Sequence, residues 1–146
     1  MTLDDSEVLE LWLALRDGHA AVSGALTADL DATRGFSLDW FEALMVLQQA
    51  GGRVRMNEFA GALKVPKSTL SRLVDRLVDA ELVDRRVVEA DGRGQIAAIT
   101  SFGRQEYRRV LPAYRRSLQR NIARTLTATD AQSLRRALGK LSGSAD

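Results

Sequence analysis

The residues best suited to chemistry lie in one run, Lys67-Ser68-Thr69-Leu70-Ser71-Arg72-Leu73-Val74-Asp75-Arg76-Leu77, and at one isolated point, Arg93 between Gly92 and Gly94. Lys67, Arg72 and Arg76 are long cationic donors. Ser68, Thr69 and Ser71 are short hydroxyls near the start of the run. Arg reaches guanine O6/N7 or phosphate, and small polar side chains allow close approach to base edges. Other chemistries are excluded by what is missing. The 146 residues include no Cys and one His, His19, which removes thiolate nucleophiles, disulfides, thiol redox sensing and multi-histidine metal sites. No nucleophile–base constellation, P-loop or dinucleotide fingerprint occurs, so no enzyme, metal site or cofactor is expected.

The elements that must position these residues follow from spacing. Between Pro66 and Glu81, Leu70, Leu73, Val74 and Leu77 fall at i, i+3, i+4 and i+7 and face a core. Lys67, Ser68, Ser71, Arg72, Asp75, Arg76 and Asp79 lie opposite. Met56 to Leu63 reads as a short helix with Met56, Phe59, Ala60 and Leu63 on one face, and a tight turn at Lys64-Val65 joins the two helices. That is a helix-turn-helix. Taken alone, its polar face reads equally as an ordinary solvated face of mixed charge. The next segment shifts the balance. Val83 to Val88 and Gln95 to Thr100 favour strands, and Asp91-Gly92 between them is a hairpin-turn signal. Helix-turn-helix followed by hairpin is a winged helix. A tip with one Arg and little bulk fits the narrow, electronegative minor groove, with Asp91 placed to orient the Arg93 guanidinium. Asp91-Gly92 also satisfies turn chemistry with no ligand at all.

Around this module the chain reads as helix. Val8, Trp12, Leu15, Val22, Leu26 and Leu30 form one stripe, and Gly35 breaks it. Ser37 is placed to cap a second helix, with Asp39 in its first turn and Gly51-Gly52 at its end. Arg53-Val54-Arg55 is a short extended piece. After Thr100 a helical stripe of Leu111, Leu118, Ile122 and Leu126 is interrupted by Pro112. Thr127 to Asp130 has capping-box spacing and opens a last helix carrying Leu134, Leu138 and Leu141. The expected fold class is mainly α: a winged helix-turn-helix with a small β-hairpin wing plus N- and C-terminal dimerisation helices. The expected division is a helical dimerisation region over 1–36 and 104–146 and a DNA-binding region over 37–103. Apolar stripes at both chain ends need a partner, and a second copy would supply one isologously.

Charge is segregated beneath a net of +2. Residues 1–52 carry −7, residues 53–109 carry +4 and residues 110–146 carry +5. Eighteen of the 21 basic residues are Arg, which suits phosphate recognition and equally follows from GC-rich codons. No apolar run approaches the ~18–20 residues of a membrane span. The N-terminus, with Asp4, Asp5 and Glu7, is acidic where a secretory signal is basic, so the protein is expected to be cytoplasmic.

The run Lys67 to Leu77 resembles the recognition helix of the MarR (multiple antibiotic resistance regulator) family. Leu82-Val83-Asp84-Arg85-Arg86 resembles the strand that leaves it. Asp91-Gly92-Arg93, Ile99-Thr100 and Gly103 resemble the family's wing and the opening of its fifth helix. The spacing matches across the whole wing, and helix order and length extend the resemblance over essentially the whole chain. There are three departures. Glu81 stands where the recognition helix usually ends in Gly, Pro66 replaces a frequent Ser or Thr cap, and Ser101-Phe102 replaces a more polar pair. The resemblance implies a homodimer that binds double-stranded DNA, most often as a repressor. Recognition helices would enter successive major grooves of a pseudo-palindrome, about one helical turn apart. It implies phosphate contacts from Arg53, Arg55, Lys64, Lys67, Arg85 and Arg86, with affinity falling steeply with salt.

The resemblance also implies release by a small aromatic or phenolic effector. Trp12, Arg16 and His19 lie on one face of the first helix, and Trp40 starts the second. Arg and His would hold a carboxylate or phenolate and the indoles would stack. The preferred reading of the same residues is that both indoles are core packing and Arg16 is solvated. The competing function is a winged-helix protein-interaction module without DNA contact. Such a surface would present apolar anchors rather than isolated arginines.

Overall fold

The computed structural model describes residues 1–88 and 94–143. Its elements are α1 (Asp5–Arg34), α2 (Leu38–Gln49), β1 (Arg53–Arg55), α3 (Met56–Leu63), α4 (Lys67–Asp79), β2 (Val83–Val88), β3 (Gly94–Ile99), α5 (Ser101–Leu118), a π-helical turn (Gln119–Ala123) and α6 (Ala128–Ser142). The winged helix-turn-helix architecture expected from the sequence is present. The hairpin connection, with Asp91, Gly92 and Arg93, lies outside the described residues.

The chain divides into two compact units, Leu30–Ala113 and Met1–Asp29 with Tyr114–Asp146. The first is built on an antiparallel sheet of order β1-β3-β2. Val54 pairs with Ala97 on one side of β3, and Arg85 pairs with the same Ala97 on the other. Phe41, Leu44 and Leu47 of α2, Phe59 of α3, and Leu70, Val74 and Leu77 of α4 are fully or almost fully buried. Each such side chain contributes about 1.5–3 kcal/mol by leaving water. Phe41 stacks on Tyr107 of α5, with ring centroids 5.3 Å apart. This unit therefore closes its own core.

In the second unit the first turns of α1 are exposed, and so are Leu134, Leu138 and Leu141 of α6. α5 continues through Pro112, and the irregularity comes later, in the π-turn, where the Arg124 N–H donates to the Gln119 carbonyl. A polar cluster sits beside this turn. The Asp29 carboxylate accepts from the buried Ser117 hydroxyl at 2.5 Å, from Arg120 at 2.6 Å and, more distantly, from Asn121. The Ser117 bond, reinforced by Arg120, holds the Asp29 pKa below the ordinary carboxylate range against the opposing effect of desolvation. The last helix opens with the expected capping box. Thr127 accepts from the Asp130 N–H, and Asp130 accepts from the Thr127 N–H. The Thr127 side chain, then its backbone, lowers the Asp130 pKa.

Candidate nucleic-acid interface

Each helix of the helix-turn-helix is ended by a left-handed residue that is not glycine. Lys64 ends α3 with φ 58°, and the Val65 N–H reaches back to the Ala60 carbonyl. Glu81 follows α4 with φ 61°, and the Leu82 N–H donates to the Leu77 carbonyl at 2.9 Å, the long bond of a Schellman cap. The missing glycine at 81 is thus replaced by an ordinary residue forced into the same conformation, at a cost of about 1–2 kcal/mol. Thr100 offsets part of that cost, because its hydroxyl donates to the Glu81 carbonyl at 2.7 Å. The same hydroxyl accepts from the Gly103 N–H and opens α5. A Cβ at Gly103 would run into the Leu82 carbonyl, which explains the glycine there. Pro66 stands immediately before α4, at the cap position, and caps no N–H with a side chain. Ser37 likewise makes no side-chain cap. Exposed Phe102 has no structural account.

With Leu70, Val74 and Leu77 turned inward, α4 exposes Lys67, Ser68, Thr69, Arg72, Asp75 and Arg76, and Ser71 is half-buried at the edge of this face. Thr69, Arg72 and Arg76 line a cleft of about 350 Å³ together with Asp39 and Glu42 of α2. Charges of opposite sign therefore share one cleft, a juxtaposition with no local sequence signal. Arg53 and Arg55 are exposed at the ends of β1 around buried Val54, and Lys64 is exposed at the turn.

Arg85 and Arg86 part company. Arg86 is exposed, with a loose 3.7 Å pairing to Asp84. Arg85 folds back from β2 onto α4. Its Nη1 ion-pairs with Asp75, its Nη2 donates to the Ser71 hydroxyl at 3.1 Å, and its buried Nε finds no partner among the described residues. Its side chain is 28% exposed and that of Asp75 58%. A pair this exposed contributes only about 0.2–1 kcal/mol.

A model of the MarR family matches residues 34–94. The crystal structure of AbsC, a MarR family transcriptional regulator from Streptomyces coelicolor, is 30% identical, with 98% of this chain and 96% of that one covered and a TM-score of 0.85. The chain belongs to the MarR family. Sco3205 from the same organism, a MarR family transcriptional regulator solved in complex with DNA, is 26% identical over 97% of this chain and 89% of its own, at TM-score 0.85. A mutant of MarR from E. coli complexed with operator DNA shares the fold, with 21% identity, 96% and 99% coverage and TM-score 0.83. A sequence search of curated proteins returned no match.

Within this MarR family chain the residues considered for an effector are split. Trp12, Arg16 and His19 are all exposed along α1, and His19 Nε2 lies 3.4 Å from the Ser23 hydroxyl. Trp40 belongs to the Leu30–Ala113 unit and packs edge-on against Phe36, with centroids 5.9 Å apart. The expectation that both indoles are core packing therefore fails for Trp12, which is 57% exposed. No helix among the described residues is long and apolar enough to cross a membrane.

Proposed function

We propose that this MarR family protein is a cytoplasmic, homodimeric regulator that binds double-stranded DNA sequence-specifically, most simply as a repressor on a pseudo-palindromic operator. Residues 37–103 would form the DNA-binding region, and 1–36 with 104–146 the dimerisation region. One observation carries the reading: α4 is anchored by Leu70, Val74 and Leu77 while its hydroxyls and arginines stay exposed on the opposite side, in a chain with the family's fold from end to end. Arg72 and Arg76 suit guanine edges, Ser68 and Thr69 suit close approach, and Arg53, Arg55, Lys64, Lys67 and Arg86 suit phosphates. Asp91 and Gly92 would present Arg93 to the minor groove.

Dimerisation is supported by the exposed leucines of α1 and α6, which a second copy would cover. A small aromatic or phenolic ligand would favour the conformer that releases DNA, by reciprocal linkage. Arg16 and His19 beside exposed Trp12 are the groups suited to its acidic end. Gel shift with the DNA flanking the protein's own gene, at two salt concentrations, tests the core of the proposal. Arg72→Ala and Arg93→Ala should each weaken binding, and affinity should fall steeply with salt. Equal affinity of parent and both variants would overturn the assignment.

A further inference from the structure

Arg85 touches the recognition face from behind, and its geometry constrains what that face can read. A serine hydroxyl has one proton and two lone pairs. At Ser71 one lone pair is taken by Arg85 Nη2–H at 3.1 Å. The guanidinium is held in that place by Asp75, four residues further along the same helix edge, through its other terminal nitrogen. Its positive charge repels a second donor from the Ser71 oxygen and turns the hydroxyl proton outward. Half-buried Ser71 therefore meets a partner as a donor.

Resting on the reading of α4 as a recognition helix, we propose that Arg85 is a positioning residue that fixes Ser71 as a hydrogen-bond donor, so that the base edge opposite Ser71 must offer an acceptor. In the major groove guanine O6 and N7, adenine N7 and thymine O4 qualify, whereas cytosine presents only its N4 amine. One position in each half-site then discriminates against cytosine on the strand that Ser71 faces. Two of the five Arg85 N–H donors are taken by Ser71 and Asp75, and on this proposal Arg85 serves Ser71 instead of making the phosphate contact that the family resemblance implies. The paired Asp75 also ceases to act as a bare negative charge on a face that must approach DNA.

The test starts from duplexes selected by the full-length protein out of a randomised pool. The position opposite Ser71 is the one whose preference changes in Ser71→Ala. The parent should disfavour cytosine there about five- to tenfold. Arg85→Gln should lose that discrimination at the same base pair, keep the rest of the profile, and add nothing when combined with Ser71→Ala. Arg85→Lys keeps the charge without the planar fork and should fall between. The salt slope of binding should be the same for parent and Arg85→Gln. A slope reduced by about one phosphate contact would make Arg85 a phosphate ligand and overturn the proposal. Uniformly weaker binding with an unchanged base profile would reduce it to a structural residue and do the same. Should Arg85→Gln fail to melt cooperatively, Ser71→Ala and Arg85→Lys carry the comparison. If the parent itself selects no sequence, the recognition-helix reading fails first, and that result is visible without any variant.

Discussion

The two compact units spend their apolar residues differently. In Leu30–Ala113 the large side chains close on one another, with Phe41, Phe59, Leu44, Leu47, Leu70 and Leu77 all essentially without solvent contact. What this unit leaves outside is mostly polar, with charges of both signs and with Val87 and Phe102 as exposed apolar exceptions. In Met1–Asp29 with Tyr114–Asp146 the pattern is reversed. Val8, Leu9, Leu11, Trp12 and Leu13 of α1 and Leu134, Leu138 and Leu141 of α6 are exposed, while Ser117 is buried and satisfied by Asp29. Exposed apolar surface of this kind marks an interaction face. On the proposed function this difference is a division of labour: one unit would present recognition chemistry on a self-sufficient core, and the other would keep its apolar surface for assembly.

The comparison is broken most severely by emptying the closed core. Phe59→Ala should destabilise the protein by about 3–5 kcal/mol, read from the midpoint of urea unfolding. A cost below about 1 kcal/mol would mean that the core is not the anchor described. Next comes the open face. Leu134→Glu replaces an exposed side chain, and in a solitary chain it should cost less than about 0.5 kcal/mol. If a second copy covers it, the dimer should weaken by about 2 kcal/mol or more, roughly 30-fold in its dissociation constant by sedimentation. Unchanged assembly would remove this face from the interface.

Smaller effects sharpen the picture. The Asp29 pKa is depressed in the folded chain, so its contribution to stability is present above its ordinary value near 4 and is lost as pH falls through the lower folded value. Asp29→Asn should flatten the acid limb of a plot of melting temperature against pH. A limb as steep as the parent's would show that other carboxylates, Asp130 among them, set it. Last, Glu81→Gly should relieve the left-handed strain and stabilise by about 1 kcal/mol, as a shifted urea midpoint with unchanged slope. Destabilisation would show that the Glu81 side chain contributes more than its backbone strain costs.

These differences also show where the sequence is legible. The α3 boundaries, the strand pair and the Thr127–Asp130 box follow from periodicity and capping, which act within a few residues. Resemblance to a family of known fold carried the assembly of these pieces. What was not legible depends on partners far along the chain. Asp29 meets Ser117 across 88 positions, and Arg104 meets Gln48 across 56. Arg85 reads as one more cation in a basic strand until the fold turns it onto Asp75 and Ser71. Trp12 on an apolar stripe reads as core because periodicity reports which face is apolar and not what covers it. Within the candidate site the burial of Leu70, Val74 and Leu77 and the exposure of Lys67, Ser68, Arg72 and Arg76 were legible, whereas Leu73, expected in the core, is half-buried and lines the cleft. The presence of Asp39 and Glu42 in the same cleft was not legible, since those residues lie in another helix.

The central claim is that two copies present two α4 faces to one duplex. Hydroxyl-radical footprinting of the full-length protein on its selected duplex addresses it directly. The account predicts two equivalent protected patches whose centres are about 10–10.5 base pairs apart, or a multiple of that, related by the dyad of the sequence. A single patch, or even protection along the duplex without a dyad, would contradict it.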